Sequence, residues 1–177
     1  MYKTGRVGGF FDTRGLRTDR SYNYKLAATW LTPEVIRASS RLAQLRSRLP
    51  AEAARKLVAE AEAVVGTAVL VEIDPREGSG VIPLSWDVFL QPKGALPDSG
   101  QAVTGRKAPR LRNVRGLAGT RRRNYDYEQF WIVFPLALDD GRPLFMDDVK
   151  EVELVVRIYD KEGRVEWRVP DSVRTPD

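Results

Sequence analysis

The chain has 177 residues, 42% of them hydrophobic and 30% charged, with a net charge of +5. That is the make-up of one ordinary folded domain, large enough to bury a core without a staple, and it rules out whole-chain disorder. Histidine and cysteine are both absent, which excludes disulfides, thiol nucleophiles, Ser-His-Asp and Cys-His machinery, zinc-hydrolase sites and facial-triad iron.

Residues 1–21 read as an irregular N-terminal arm, because Gly5, Gly8, Gly9 and Gly15 break any period, with Val7–Phe11 as a short edge strand. The arm is too polar for a leader peptide, and no apolar run of about 18 residues spans a bilayer. A soluble protein is expected, either cytoplasmic or an exported mature form lacking its leader. The first full strand is expected over 22–31, with Leu26, Ala28 and Trp30 on one face.

Thr32-Pro33-Glu34 announces a helix, Thr32 as N-cap and Pro33 at the first helical position, where a missing N–H costs nothing. Val35, Ala38, Leu42, Leu45 and Leu49 then repeat at three and four, an apolar stripe expected to face inward. Pro50 interrupts, and Ala54, Leu57, Val58, Ala61 and Val65 form the inward stripe of a second helix. The short break predicts an antiparallel helical hairpin over 33–65. The stripes are too short for a coiled-coil dimer, so intramolecular packing is expected.

After Gly66, Val69, Val71 and Ile73 alternate in a strand over 67–74, and Pro75–Gly80 reads as a turn. Another strand over 84–91 turns Trp86, Val88 and Leu90 one way. Residues 92–126 lose the apolar period and become rich in glycine, proline and arginine, a long basic loop with a short strand near 102–104. Beyond it, Phe130, Ile132, Phe134 and Leu136 alternate with Trp131 and Val133, so this strand is apolar on both faces and expected to be buried on both. Asp139-Asp140-Gly141 signals a turn and 143–146 a short return strand. A final hairpin carries Val152, Leu154, Val156 and Ile158 against Val165, Trp167 and Val169, with Gly163 expected at positive φ in the turn.

The expected class is therefore α+β, mainly antiparallel β. It is a β-sandwich-like single domain over 22–170, of about six to eight strands, with an inserted antiparallel helical hairpin and a polar tail at 171–177.

The strongest compositional anomaly is basic. Arg106, Lys107, Arg110, Arg112, Arg115, Arg121, Arg122 and Arg123 occur without an intervening acid, and Tyr125, Tyr127 and Trp131 follow. Arginines neutralise phosphates and aromatics stack on bases, so single-stranded nucleic acid or another polyanion is one reading. No nucleic-acid-binding motif accompanies the run, and a solvated loop docked on acidic surface is the other. Asp139, Asp140, Asp147 and Asp148 are a weak calcium candidate, lacking EF-hand spacing, so no metal is expected. Glu72, Asp74, Glu77 and Asp87 offer paired carboxylates for a hydrolase, whose separation sequence cannot give. Ser79 has no histidine to activate it, and neither a dinucleotide fingerprint nor a phosphate-binding loop occurs, so no cofactor is expected.

These readings order the functions. First comes a non-enzymatic β-sandwich binding module contacting a protein or glycan partner. Nucleic-acid or polyanion binding through 106–123 is the alternative, and a carboxylate-based hydrolase comes third. Without histidine or cysteine an enzyme is the less favoured class.

Overall fold

The computed structural model describes residues 1–8, 23–47, 50–63, 66–77, 85–96, 99–108 and 128–174. The chain order is β1 (Tyr2–Val7), β2 (Asn23–Leu31), α1 (Pro33–Ser47), α2 (Ala51–Glu62), β3 (Thr67–Glu77), β4 (Asp87–Pro92), β5 (Val103–Thr104), β6 (Arg106–Lys107), β7 (Glu128–Phe134), β8 (Glu151–Ile158) and β9 (Lys161–Arg168). A short 3-10 helix, Asp171–Val173, follows. The strands form two sheets, ordered β1-β2-β3-β7-β6 and β5-β4-β8-β9, and every pairing is antiparallel.

Alternation along the strands builds the core. Leu26, Ala28, Trp30, Val69, Val71, Ile73, Ile132 and Phe134 of the first sheet join Val88, Leu90, Leu154, Val156, Val165 and Trp167 of the second in one buried cluster. At its centre the Trp30 ring tilts against Phe145 and Trp167 at 5.6 and 5.7 Å. Trp30 Nε1 donates to Thr67 Oγ1 at 2.6 Å, so the ring is buried without orphaning its donor. On the other face of the first sheet, Leu31, Ala68, Leu70, Trp131 and Val133 pack against Ile36, Ala61, Val35, Leu57 and Val58 of the helices. The two-faced apolarity of β7 thus has two partners, the second sheet and the helical layer.

Thr32 caps α1 as expected: Val35 N–H donates to its Oγ1 at 3.4 Å, and Ile36 N–H to its carbonyl at 2.9 Å. The helices are two short, separate elements, because Pro50 restarts the chain as the N-cap of α2, and residues 48 and 49 lie outside the described set. The expected inward stripe of α1 fails. Ile36 is buried, but Ala38 is exposed, Leu42 is 50% exposed and Leu45 is 72% exposed. Among the described side chains, Val35 and Ile36 in the first turn of α1 pack against the sheet, and Leu57, Val58 and Ala61 of α2 join them.

Three further expectations are corrected. The first is the N-terminal arm, which begins as β1, a paired edge strand at Tyr2–Val7, with residues 9–22 outside the described set. Pro143–Met146 forms no strand; one isolated bridge, Ala137 to Pro143, closes a tight loop in which Leu144 N–H donates to Leu136 O at 2.8 Å. Gly163 sits inside β9 opposite Val156, and the residue at positive φ is Tyr159, φ 55°, in the two-residue turn between Ile158 and Lys161. Gly163 is needed for a close approach, since a Cβ there would meet Arg6 O at 2.6 Å. Gly5 answers it from β1, where a Cβ would meet Arg164 O at 2.6 Å. The β1 and β9 backbones therefore run against each other at the edge of the two sheets.

The opposite edge is joined by one bridging segment. β5 and β6 are separated only by Gly105, and the chain changes sheets there. Gly105 N–H donates to Val88 O of β4 at 2.8 Å, and Ala108 N–H donates to Trp131 O of β7 at 2.7 Å. Successive residues of an extended chain direct their backbone groups to opposite sides, so one short segment serves both sheets. No helix among the described residues is long and apolar enough to cross a membrane.

Candidate functional site

A concavity formed by described residues lies where β7 ends. Pro135 follows Phe134 and has no N–H to continue the ladder, so the chain leaves the sheet into the loop 135–146. Between that loop, the bridging segment and the C-terminal 3-10 helix opens a groove of about 780 Å³. Its walls are mainly apolar: Val133, Pro135, Leu136, Ala137, Phe145 and Val173, with Gly66 at the start of β3. Gly66 has φ +113° and lies against Phe134 O, so no side chain intrudes at that corner.

Two arginines border the groove, in different states. The Arg174 guanidinium is occupied structurally, donating to the carbonyls of Met146 at 3.2 Å, Asp147 at 3.0 Å and Val149 at 2.6 Å. It staples the C-terminal segment to the loop and so fixes the groove's shape. Arg106 is exposed on β6, level with Val133, and it and Thr104 line the groove from the bridging segment.

Thr104 also lines a second, smaller cleft of about 200 Å³ on the outer face of the second sheet, with Phe89, Gln91, Val155, Arg157, Glu162 and Arg164. This face is a cross-strand ionic lattice. Glu153, only 3% exposed, accepts from Gln91 Nε2 at 2.8 Å and from Arg164. Glu162 receives both Arg164 and Arg157, and the Arg157 guanidinium lies 5.4 Å from the Phe89 ring centroid. Lys93 joins the margin through Glu151 and Glu166, at 3.1 and 2.8 Å, and these partners hold its pKa above the ordinary value. Such pairs are the ordinary way to stabilise a solvated sheet face.

With this geometry in place, the chain matches no protein-family model, and no curated protein or solved structure matches it. The site is therefore read from its own residues.

The predicted basic cluster is represented by Arg106 and Lys107, which form β6 and are not loop residues. Arg110, Arg112, Arg115, Arg121, Arg122, Arg123, Tyr125 and Tyr127 lie outside the described residues. Lys107 is engaged locally, its Nζ 5.0 Å from the Trp86 ring and 5.3 Å from Phe130. Trp131, which follows the basic run in sequence, is buried beneath the helices.

Among the described residues no group of three or more acidic side chains gathers to hold a metal ion. Asp139, Asp140, Asp147 and Asp148 are thus not brought together as a calcium site. Asp140 instead accepts from the Arg142 backbone N–H at 3.0 Å and from Nε at 2.7 Å, which holds its carboxyl below the ordinary range. The carboxylates proposed for hydrolysis are divided as well. Glu72 and Asp74 are buried on β3 of the first sheet, Glu72 accepting from Gln129 at 2.5 Å, while Asp87 is exposed on β4 of the second. The groove itself had no sequence signal, because its walls come from segments far apart in the chain.

Proposed function

We propose that the protein is a non-enzymatic binding module: a β-sandwich, with α1 and α2 as a hairpin over one face, that engages a partner protein through the groove beside Arg106. The observation carrying this reading is the groove: open, mainly apolar, about 780 Å³, and bordered by an exposed guanidinium. Recognition sites have that make-up, an apolar wall with few polar groups to set orientation. Arg37 lies 3.9 Å from Glu62, which supports antiparallel packing of the two helices.

A protein partner is favoured over a glycan. Sugar recognition uses exposed aromatic platforms, and among the described residues the aromatic lining the groove, Phe145, is buried. The absence of histidine and cysteine, and the split of Glu72 and Asp74 from Asp87, weigh against catalysis.

The test is selection of a random peptide library displayed on phage against the immobilised full chain. Enriched peptides are expected to lose at least about tenfold in affinity for Ala137→Trp, whose indole fills the groove from an exposed position. No enrichment over a blank surface, or equal binding to the variant, removes the reading.

A further inference from the structure

We infer that the partner presents an extended acidic segment lying across Thr104, its apolar side chains in the groove and a carboxylate on Arg106; this rests on the binding reading above.

The shape of the site indicates a chain more than a compact ligand. Thr104 is common to the groove and to the smaller cleft, so the two concavities meet at one exposed residue of the bridging segment. A small molecule fills one of them, whereas an extended chain runs through both.

The backbone is arranged to receive such a chain. Gly105 bonds toward β4, so by alternation Thr104 directs its own N–H and C=O away from β4. Arg106 is level with Val133 and Lys107 with Ile132, and extending that register sets Thr104 level with Pro135. Pro135 has no N–H and has left the sheet, so the ladder between β6 and β7 stops one step before Thr104. An added strand completes it, the usual mode by which a sheet edge captures an extended peptide.

Charge selects the sequence class. Arg106 borders the groove with no acidic residue among the described residues of its lining, while in the cleft Arg157 and Arg164 are matched by Glu162 and Glu153. Arg174, the groove's other cation, is held by three carbonyls and is not available. The chain as a whole carries +5, which steers an acidic partner inward.

The experiment is fluorescence anisotropy with two labelled peptides, one alternating glutamate with valine and phenylalanine, the other carrying lysine in place of glutamate. The wild-type chain is expected to bind the glutamate peptide about tenfold more tightly at low salt, and Arg106→Glu to reverse that preference. Arg106 is exposed, so the variant folds, and circular dichroism checks it. Equal affinity for both peptides overturns the inference, as does a preference that Arg106→Glu leaves unchanged. Displacement of the peptide by octanoate at comparable concentration overturns it too, and makes the groove a small-acid pocket. Library peptides blocked by Ala137→Trp but without acidic bias sink this inference while the binding module stands. No binder of any kind sinks both.

Discussion

Replacing Gly163 by alanine tests the close backbone approach of β1 and β9. A Cβ at Gly163 would lie 2.6 Å from Arg6 O, 2.7 Å from Val7 Cγ2 and 2.9 Å from Arg6 C. Two of these three atoms are backbone, so no rotamer change relieves them, and β1 has to move away from β9. Overpacking of this kind costs about 1–3 kcal/mol. The ceiling is set by releasing β1 altogether, which would expose Val7, now fully buried, and give up its ladder with β2. Gly5→Ala makes the reciprocal clash with Arg164 O, and the same outward movement of β1 relieves it. The double variant is therefore expected to lose clearly less than the sum of the two single losses. Urea denaturation at constant m-value measures all three, with Gly141→Ala as a control. That residue has φ +84° and nothing within 4 Å of a Cβ, so its cost of about 1 kcal/mol comes from backbone strain alone. A Gly163→Ala loss below about 0.5 kcal/mol, or strict additivity with Gly5→Ala, would refute the close-approach account.

The other predictions concern the helices, the ionic lattice and the amino terminus. Ile36→Ala is expected to cost about 2–4 kcal/mol, because Ile36 is buried against the first sheet, and Leu45→Ala less than about 0.5 kcal/mol, because Leu45 is exposed. Equal losses in thermal denaturation would restore the inward stripe. Glu153→Ala removes the acceptor shared by Gln91 and Arg164 and is expected to cost about 1.5–3 kcal/mol, while Glu166→Ala, on the exposed margin, costs under about 1 kcal/mol. The Met1 amino group donates to Trp30 O at 2.6 Å, and desolvation lowers its pKa from 8.0 to about 6. The unfolded chain binds that proton more readily between these values, so stability rises with pH from about 6 to 8. The full linkage is about 2.7 kcal/mol, reduced by solvent screening to about 1 kcal/mol. A flat stability profile over that range would contradict the desolvated amine.

The parts of the fold legible in the sequence are those in which a strand has one consistent neighbour on each face. Val69, Val71 and Ile73 alternate because the second sheet lies on one side, and β7 is apolar throughout because both its faces are covered. The α1 stripe was legible as amphipathic but not as to partner; period three and four defines a face, and only tertiary contact decides that Ile36 is covered while Leu42 and Leu45 are not. Glycine carried a similar ambiguity. Gly163 and Gly5 look like turn or breaker residues, yet they stand inside strands to let backbones meet. The bridging segment gives each sheet too few residues to leave a period. The groove is less legible still, since Gly66, Thr104, Pro135 and Val173 become neighbours only when β3, the bridging segment and β7 are in register.

The most direct measurement is backbone amide mapping by NMR of the full chain with a library-selected peptide added. Shifts are expected at Thr104, Arg106, Val133, Leu136 and Ala137, which surround the groove, with Phe89 and Val155 following as the peptide enters the adjoining cleft. Shifts confined to α1 around the exposed Leu42 and Leu45, with the groove residues unmoved, would contradict the account.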